Sequence, residues 1–214
     1  MGAGQHFRKK EEVSKLNMEN GIKRSFEIIF VCISNRVRSV FSEFLLRKML
    51  GEKDKRLIGE IRVSSAGFIP QEMKDLFAKV NIAFPNPFYN RPMSEITWSA
   101  LVKKGIEVSD QWRSKELTPK MVKEADLIIT ALPLQKERLT QLFPEVWSKI
   151  FTLREISNWN GYLCLDDVGG VPMDNTFWYY VEENPEYVSK VLWEVEKILV
   201  HAFPNILEKL GLKA

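Results

Sequence analysis

Residues 26–46 read FEIIFVCISNRVRSVFSEFLL, and three kinds of pattern follow one another within them. Phe26 to Val31 is an apolar run with β-branched members, the pattern of a buried strand. Cys32 to Arg38 is polar and short. From Ser39 to Leu50 the apolar residues Val40, Phe41, Phe44, Leu45 and Met49 fall on one helical face, and Gly51 is expected to stop that helix. A strand, a short loop and a helix start, with Cys32 at the strand end and Arg38-Ser39 at the helix start, make a phosphate-binding arrangement. The backbone N–H groups of such a loop point inward, and the helix dipole favours an anion.

Outward from this stretch, strands and helices alternate. Ile61, Val63 and Ser65 alternate with polar residues as in a strand, Asp126 to Ala131 reads as a buried strand, and Lys149 to Thr152 as a short one. Helices are expected at Met93 to Lys104, ended by Gly105, after the Thr118-Pro119 start, and at Pro133 to Phe143. A long helix is expected from Asn184-Pro185 to about Ala202, with Phe203 to Leu212 closing the chain. This order predicts a flavodoxin-like α/β fold, a three-layer sandwich whose four-stranded parallel sheet has helices on both faces. Residues 25–214 are read as that domain. Residues 69–92, helical at Gln71 to Val80 and then rich in proline and aromatics, are read as an insertion. Residues 1–24 are read as a polar, mobile or loosely helical extension.

Composition narrows the function classes. Of the 214 residues, 45% are hydrophobic, enough for a sizeable core, and the net charge of +3 is spread rather than clustered, so nucleic-acid binding has no compositional support. With two cysteines, Cys32 and Cys164, and two histidines, His6 and His201, neither a disulfide scaffold nor a four-ligand Cys/His zinc site is expected. No apolar signal core or membrane-length run is seen. MGAGQHF departs from a myristoylation signal at its sixth residue, so a cytoplasmic protein without membrane attachment is expected.

Phosphoryl transfer to a thiol needs a nucleophile, an anion cradle, a cation and an acid. Cys32 fits the first, and its place before a helix start favours negative charge on sulfur. The loop amides supply the cradle. Arg38 offers a planar fork for two equatorial oxygens. Ser39 is placed to donate to the sulfur, and Asn35 suits a position with positive φ. The rival reading is a buried structural cysteine followed by an unrelated arginine.

The chain resembles the low-molecular-weight protein tyrosine phosphatase family over most of residues 26–202. The family loop, Cys-x-Gly-Asn-x-Cys-Arg-Ser, stands here as Cys32-Ile33-Ser34-Asn35-Arg36-Val37-Arg38-Ser39. The family's Ser-Ala-Gly matches Ser65-Ala66-Gly67, and ALVKKGIEVSDQWRSKELT, EADLIITA, LTQLFP and FTLREI follow in family order. The resemblance implies a phosphatase acting on phosphotyrosine in proteins or on small aryl phosphates, through a phosphocysteine, with no metal or cofactor. Ile33, Ser34, Asn35, Arg36, Val37 and Ser39 would bind the phosphate, and Ser65 would support Asn35.

Four departures stand out. Ser34 replaces a glycine, which strains the loop if that position needs positive φ. Val37 replaces the second loop cysteine. Arg36 occupies a position that lines the substrate entrance in the family, so it either greets acidic groups beside the phosphate or points into solvent. The family's Asp-Pro pair is missing from LDDVGGVPMDNTFWYY. Asp174 is the first choice of general acid, with Asp166 and Asp167 as alternatives, and all three also fit ordinary turn carboxylates. Phe177, Trp178 and Tyr179 would form a pocket wall or pack under the last helix. Cys164 would be a resolving thiol or an inert buried one. Two other functions share the loop: arsenate reduction, whose thiol-cascade form typically uses three cysteines, and non-catalytic binding of phosphate or phosphoprotein.

Overall fold

The computed structural model describes residues 25–158, 173–174 and 176–213. The expectations for residues 1–24, for Cys164 and for Asp166 and Asp167 lie outside them. The sheet has four parallel strands, β1 (Phe26–Cys32), β2 (Ile61–Gly67), β3 (Leu127–Thr130) and β4 (Ile150–Thr152), in the order β2-β1-β3-β4. The helices are α1 (Arg38–Lys53), α2 (Lys55–Glu60), α3 (Gln71–Lys79), α4 (Glu95–Lys103), α5 (Pro119–Glu124), α6 (Pro133–Leu142), α7 (Leu153–Ser157), α8 (Phe177–Glu183) and α9 (Pro185–Lys209), with a 3-10 turn at Pro144–Lys149.

Alternation along β1 divides the core. Ile28 and Phe30 face a layer built by α1, α4, α7 and α9 through Phe41, Leu46, Leu101, Ile156, Val195 and Leu199. Ile29 and Val31 face the opposite layer, where Val122 of α5 and Leu139 of α6 cover them. Period-two side chains on a parallel sheet require both layers, so the three-layer flavodoxin-like sandwich expected from the sequence is the observed one. Ile128 of β3 sits between β1 and β4 and is 0% exposed. Ile128→Ala is expected to lower unfolding free energy by about 2–5 kcal/mol in urea titration; a loss well under about 1 kcal/mol would mean that this layer is not tightly packed.

The sequence reading needs correction at several ends. Gly51 does not stop α1, which runs on to Lys53. The break comes at Asp54, whose extended backbone ends the helix and whose carboxylate accepts from Arg56 N at 2.9 Å to start α2. The last helix does not end near Ala202: α9 continues through Pro204 to Lys209, with Ile206 and Leu207 fully buried. α8 has no counterpart among the expected helices. The start at Thr118-Pro119 is as expected, with Thr118 Oγ1 accepting from Met121 N at 3.3 Å. Gly105 follows α4 at φ +70°, the left-handed position that glycine tolerates.

The 69–92 segment is more than a surface loop. Phe77 of α3 and Ile82 are buried against Ile33 of the Cys32 loop and against Phe177 and Trp178 of α8. Phe77, Phe84, Phe88, Phe177 and Trp178 form a cluster with ring centroids 4.8–5.6 Å apart. Trp178 Nε1 donates to Ala83 O at 2.8 Å. Among the described residues, no helix is long and apolar enough to cross a membrane.

Candidate active site

Cys32 ends β1, whose neighbours β2 and β3 carry the chain to opposite sides of the sheet. Strand order reverses at this end, which is where an open α/β sheet leaves a crevice. The backbone from Ile33 to Val37 turns there into the first residue of α1, Arg38. Cys32 is 2% exposed, and its Sγ lies 3.0 Å from Ser39 Oγ.

Asn35 organises the turn. Its φ is +58°, a conformation asparagine accepts more readily than most residues. Its Nδ2 donates to Ser39 Oγ at 2.9 Å and to Ser65 Oγ at 2.8 Å, and its Oδ1 accepts from Lys115 N at 3.0 Å. The side chain is 0% exposed, and each of these bonds replaces water that burial removed. Ser34 has no positive φ, so serine in place of the family's glycine is not strained there. Val37 is buried in the core beneath α1.

The proton directions follow from the partners. Ser65 Oγ donates to Glu43 Oε2 at 2.5 Å, because a carboxylate only accepts when ionised. Ser65 and Ser39 both accept from Asn35, and when the Cys32 sulfur is ionised it can only accept, so Ser39 then donates to it. The Ser39 bond favours negative charge on the sulfur, and Glu43 and Ser65 act on it by holding Asn35, which donates to both serines. Burial holds the Glu43 carboxyl above its ordinary range, opposed by Arg47, which pairs with Glu43 Oε1 at 2.7 Å. Sequence reasoning missed Glu43: it sits on the inner face of α1, where the apolar pattern hides a single acid.

Arg38 is half-buried, and no described residue accepts from its guanidinium. Arg36 behaves differently, and it does not point into solvent. It is 5% exposed, so it is not solvated, and all of its nitrogens are engaged. Nη1 pairs with Glu182, Nη2 with Glu183 Oε1 at 2.6 Å, and Nε donates to Pro92 O at 2.7 Å. Three of its five N–H donors are committed to Glu182, Glu183 and Pro92 O, which holds the guanidinium against α8.

The walls come from elements distant in sequence. Lys115 N and O bind Asn35 and Gly67 N, which ties the segment before α5 to the loop. Tyr89 lies across Gly67, where an added β-carbon would collide with the ring and approach Ile33 O at 2.7 Å. Only glycine fits at that close approach. Burial first, then the charges of Glu116 and Cys32, pushes the Tyr89 phenol well up, so it stays protonated. The proline-rich, aromatic composition of residues 81–92 was the one signal that could have found it. Phe177 and Trp178 pack inward, whereas Tyr179 is exposed.

Asp174 is exposed. Its Oδ1 accepts from Thr176 N at 2.7 Å and Thr176 Oγ1 at 2.6 Å, and those bonds lower its proton affinity below the ordinary carboxylate range. Its hydrogen bonds therefore run to Thr176 and not to the Cys32 loop. Cys32, Asn35, Ser39 and Ser65 are brought together; among the described residues, Asp174 is linked to them through α8. Among the described residues, no cluster of three or more His, Cys, Asp or Glu side chains is arranged to hold a metal.

No family model matches the sequence, and no curated protein sequence matches it either. Solved structures do. A low-molecular-weight protein tyrosine phosphatase from T. tengcongensis is 26% identical, covering 86% of this chain and 99% of its own, with a TM-score of 0.57. The chain has the low-molecular-weight protein tyrosine phosphatase fold. Other structures with this fold include YwlE arginine phosphatase from Geobacillus stearothermophilus (24% identity, 87% and 96% covered, TM-score 0.56). SP-PTP, a low-molecular-weight protein tyrosine phosphatase from Streptococcus pyogenes, is also similar (19% identity, 86% and 93% covered, TM-score 0.53). The phosphatase-fold resemblance seen in the loop sequence therefore extends over the described sheet and its helices.

Proposed function

We propose that residues 25–214 form a cysteine-dependent phosphatase that hydrolyses phosphotyrosine or small aryl phosphates through a phosphocysteine. The observation that carries this reading is the Cys32 sulfur, 3.0 Å from Ser39 Oγ at the mouth of a loop that leads into Arg38. Cys32 Sγ attacks phosphorus, forming the S–P bond as the ester O–P bond breaks. Arg38 and the loop amides hold the equatorial oxygens, where charge spreads in the transition state. Asp174 gives its proton to the leaving oxygen. A water then attacks phosphorus, returns a proton to Asp174, and releases phosphate and the thiolate. No metal or cofactor takes part.

The relatives that act on phosphoarginine support a second substrate class, since the loop chemistry is the same and only the leaving group differs. Metal-free hydrolysis of phosphotyrosine and phosphoarginine peptides, measured side by side, separates the two. Failure to hydrolyse either, with phosphate still bound, would replace both with the binding-module reading.

The Asp174 assignment has its own pH signature. A carboxyl whose pKa lies below the ordinary range carries its proton only at acid pH. Turnover of phosphotyrosine is thus expected to fall as pH rises, and Asp174→Asn is expected to cost about 10²-fold on the acid side and to flatten that limb. An unchanged profile in Asp174→Asn would move the acid elsewhere in the segment.

A further inference from the structure

We propose that Arg36 is a positioning residue that fastens the acid-bearing segment to the phosphate loop. The inference rests on the phosphatase reading above. α8 is pinned at both ends. At its start, Phe177 N donates to Asp174 O at 3.0 Å, and Thr176 holds the Asp174 carboxylate, so Asp174 moves with the helix. At its end, Glu182 and Glu183 grip Arg36 of the loop. Between these ends, Phe177 and Trp178 lie in the apolar cluster that contains Ile33, the residue after the nucleophile.

The ion-pair cluster is built to be rigid. Glu182 is 2% exposed and also takes Arg91 Nη2 at 3.0 Å. Two arginines and two glutamates cancel formally, which is the condition for holding charge out of water. Arg36 Nε on Pro92 O and Arg91 bring the end of the 69–92 segment to the same point, and Ser94 N donates to Arg36 O at 3.2 Å. Apolar contacts let α8 slide, whereas the planar fork on two carboxylates sets direction as well as distance. Arg36 stands two residues before Arg38 in the loop, so its grip carries the registration of Asp174 to the phosphoryl site.

The test compares leaving groups. Wild type, Arg36→Met, Glu182→Gln and the Arg36→Met/Glu182→Gln double variant are assayed on p-nitrophenyl phosphate and on phenyl phosphate. Inorganic phosphate serves as a competitive inhibitor. The double variant removes one charge of each sign, so it remains foldable if either single variant does not. Phenoxide leaves poorly without a proton, whereas p-nitrophenoxide needs little help. Loss of positioning therefore predicts that kcat/KM, which reads only the steps up to leaving-group release, falls at least about tenfold further on phenyl phosphate than on p-nitrophenyl phosphate, with the phosphate inhibition constant moving less than about threefold. Equal losses on both substrates, or a loss matched by weaker phosphate binding, would assign Arg36 to holding the loop alone and overturn the inference. A wild-type protein that hydrolyses neither ester would overturn the phosphatase reading and the inference together. Turnover with an unchanged leaving-group ratio would overturn the inference only.

Discussion

Cys32→Ser is expected to abolish hydrolysis of p-nitrophenyl phosphate, a loss on the order of 10⁴-fold or more, while inorganic phosphate still binds. The hydroxyl is a far weaker nucleophile than a thiolate, because its proton is held much more tightly. The row of hydrogen bonds through Glu43, Ser65 and Asn35 holds Ser39, whose bond to the sulfur works by favouring negative charge there. Directed at a neutral hydroxyl, the same row has no anion to favour. The substitution is small, and the loop geometry depends on Asn35 and the backbone, so the cradle and Arg38 remain to hold phosphate. Initial rates with and without the substitution, together with phosphate titration by calorimetry, check both halves. Residual turnover within about tenfold of wild type would remove Cys32 from the mechanism.

Arg38→Lys is expected to lower kcat/KM by about 10²–10³-fold and to weaken phosphate inhibition. Arg38 opens α1, and no described residue takes its donors, in contrast to Arg36 nearby. Its work is thus predicted to lie in the bound state. Lysine keeps the charge but loses the planar pair of N–H groups that matches two equatorial oxygens of a transferring phosphoryl. The loss belongs in kcat as well as KM, because those oxygens gather charge only as the bonds change. The same assay on Arg36→Met supplies the contrast, since that arginine is committed to carboxylates. An Arg38→Lys enzyme within about tenfold of wild type would mean that charge alone suffices and the fork is dispensable.

Arg36 shows why the site was only partly legible. Its place in the loop is plain from spacing, and both sequence-based accounts of it look outward, to a substrate or to water. Its partners, Glu182 and Glu183, lie 146 and 147 positions away on a helix the sequence did not announce. Nothing local in FWYYVEE distinguishes a solvated pair of glutamates from a buried one. Glu43 is obscured in the opposite way: it stands among the apolar positions of α1, and its use appears only once Ser65 is brought beside it. Within residues 69–92 the helix is legible and forms over Gln71–Lys79, whereas the loop that follows it looks unremarkable in sequence. Its aromatic residues matter because α8 and Ile33 meet them.

What the sequence determined by itself were the features whose physics is local. The alternation of apolar runs with helical faces required a parallel sheet covered on both sides. The run from Cys32 to Ser39 required a turn from a strand into a helix. Asn35 suited the positive φ it adopts, and Thr118-Pro119 marked the start of α5. What only the tertiary structure decided were the pairings between distant segments: Asn35 with Ser65 and Lys115, Tyr89 over Gly67, and Arg36 with α8. A buried polar group must find its partner wherever the packed chain supplies one, and sequence periodicity carries no record of which distant residue that is.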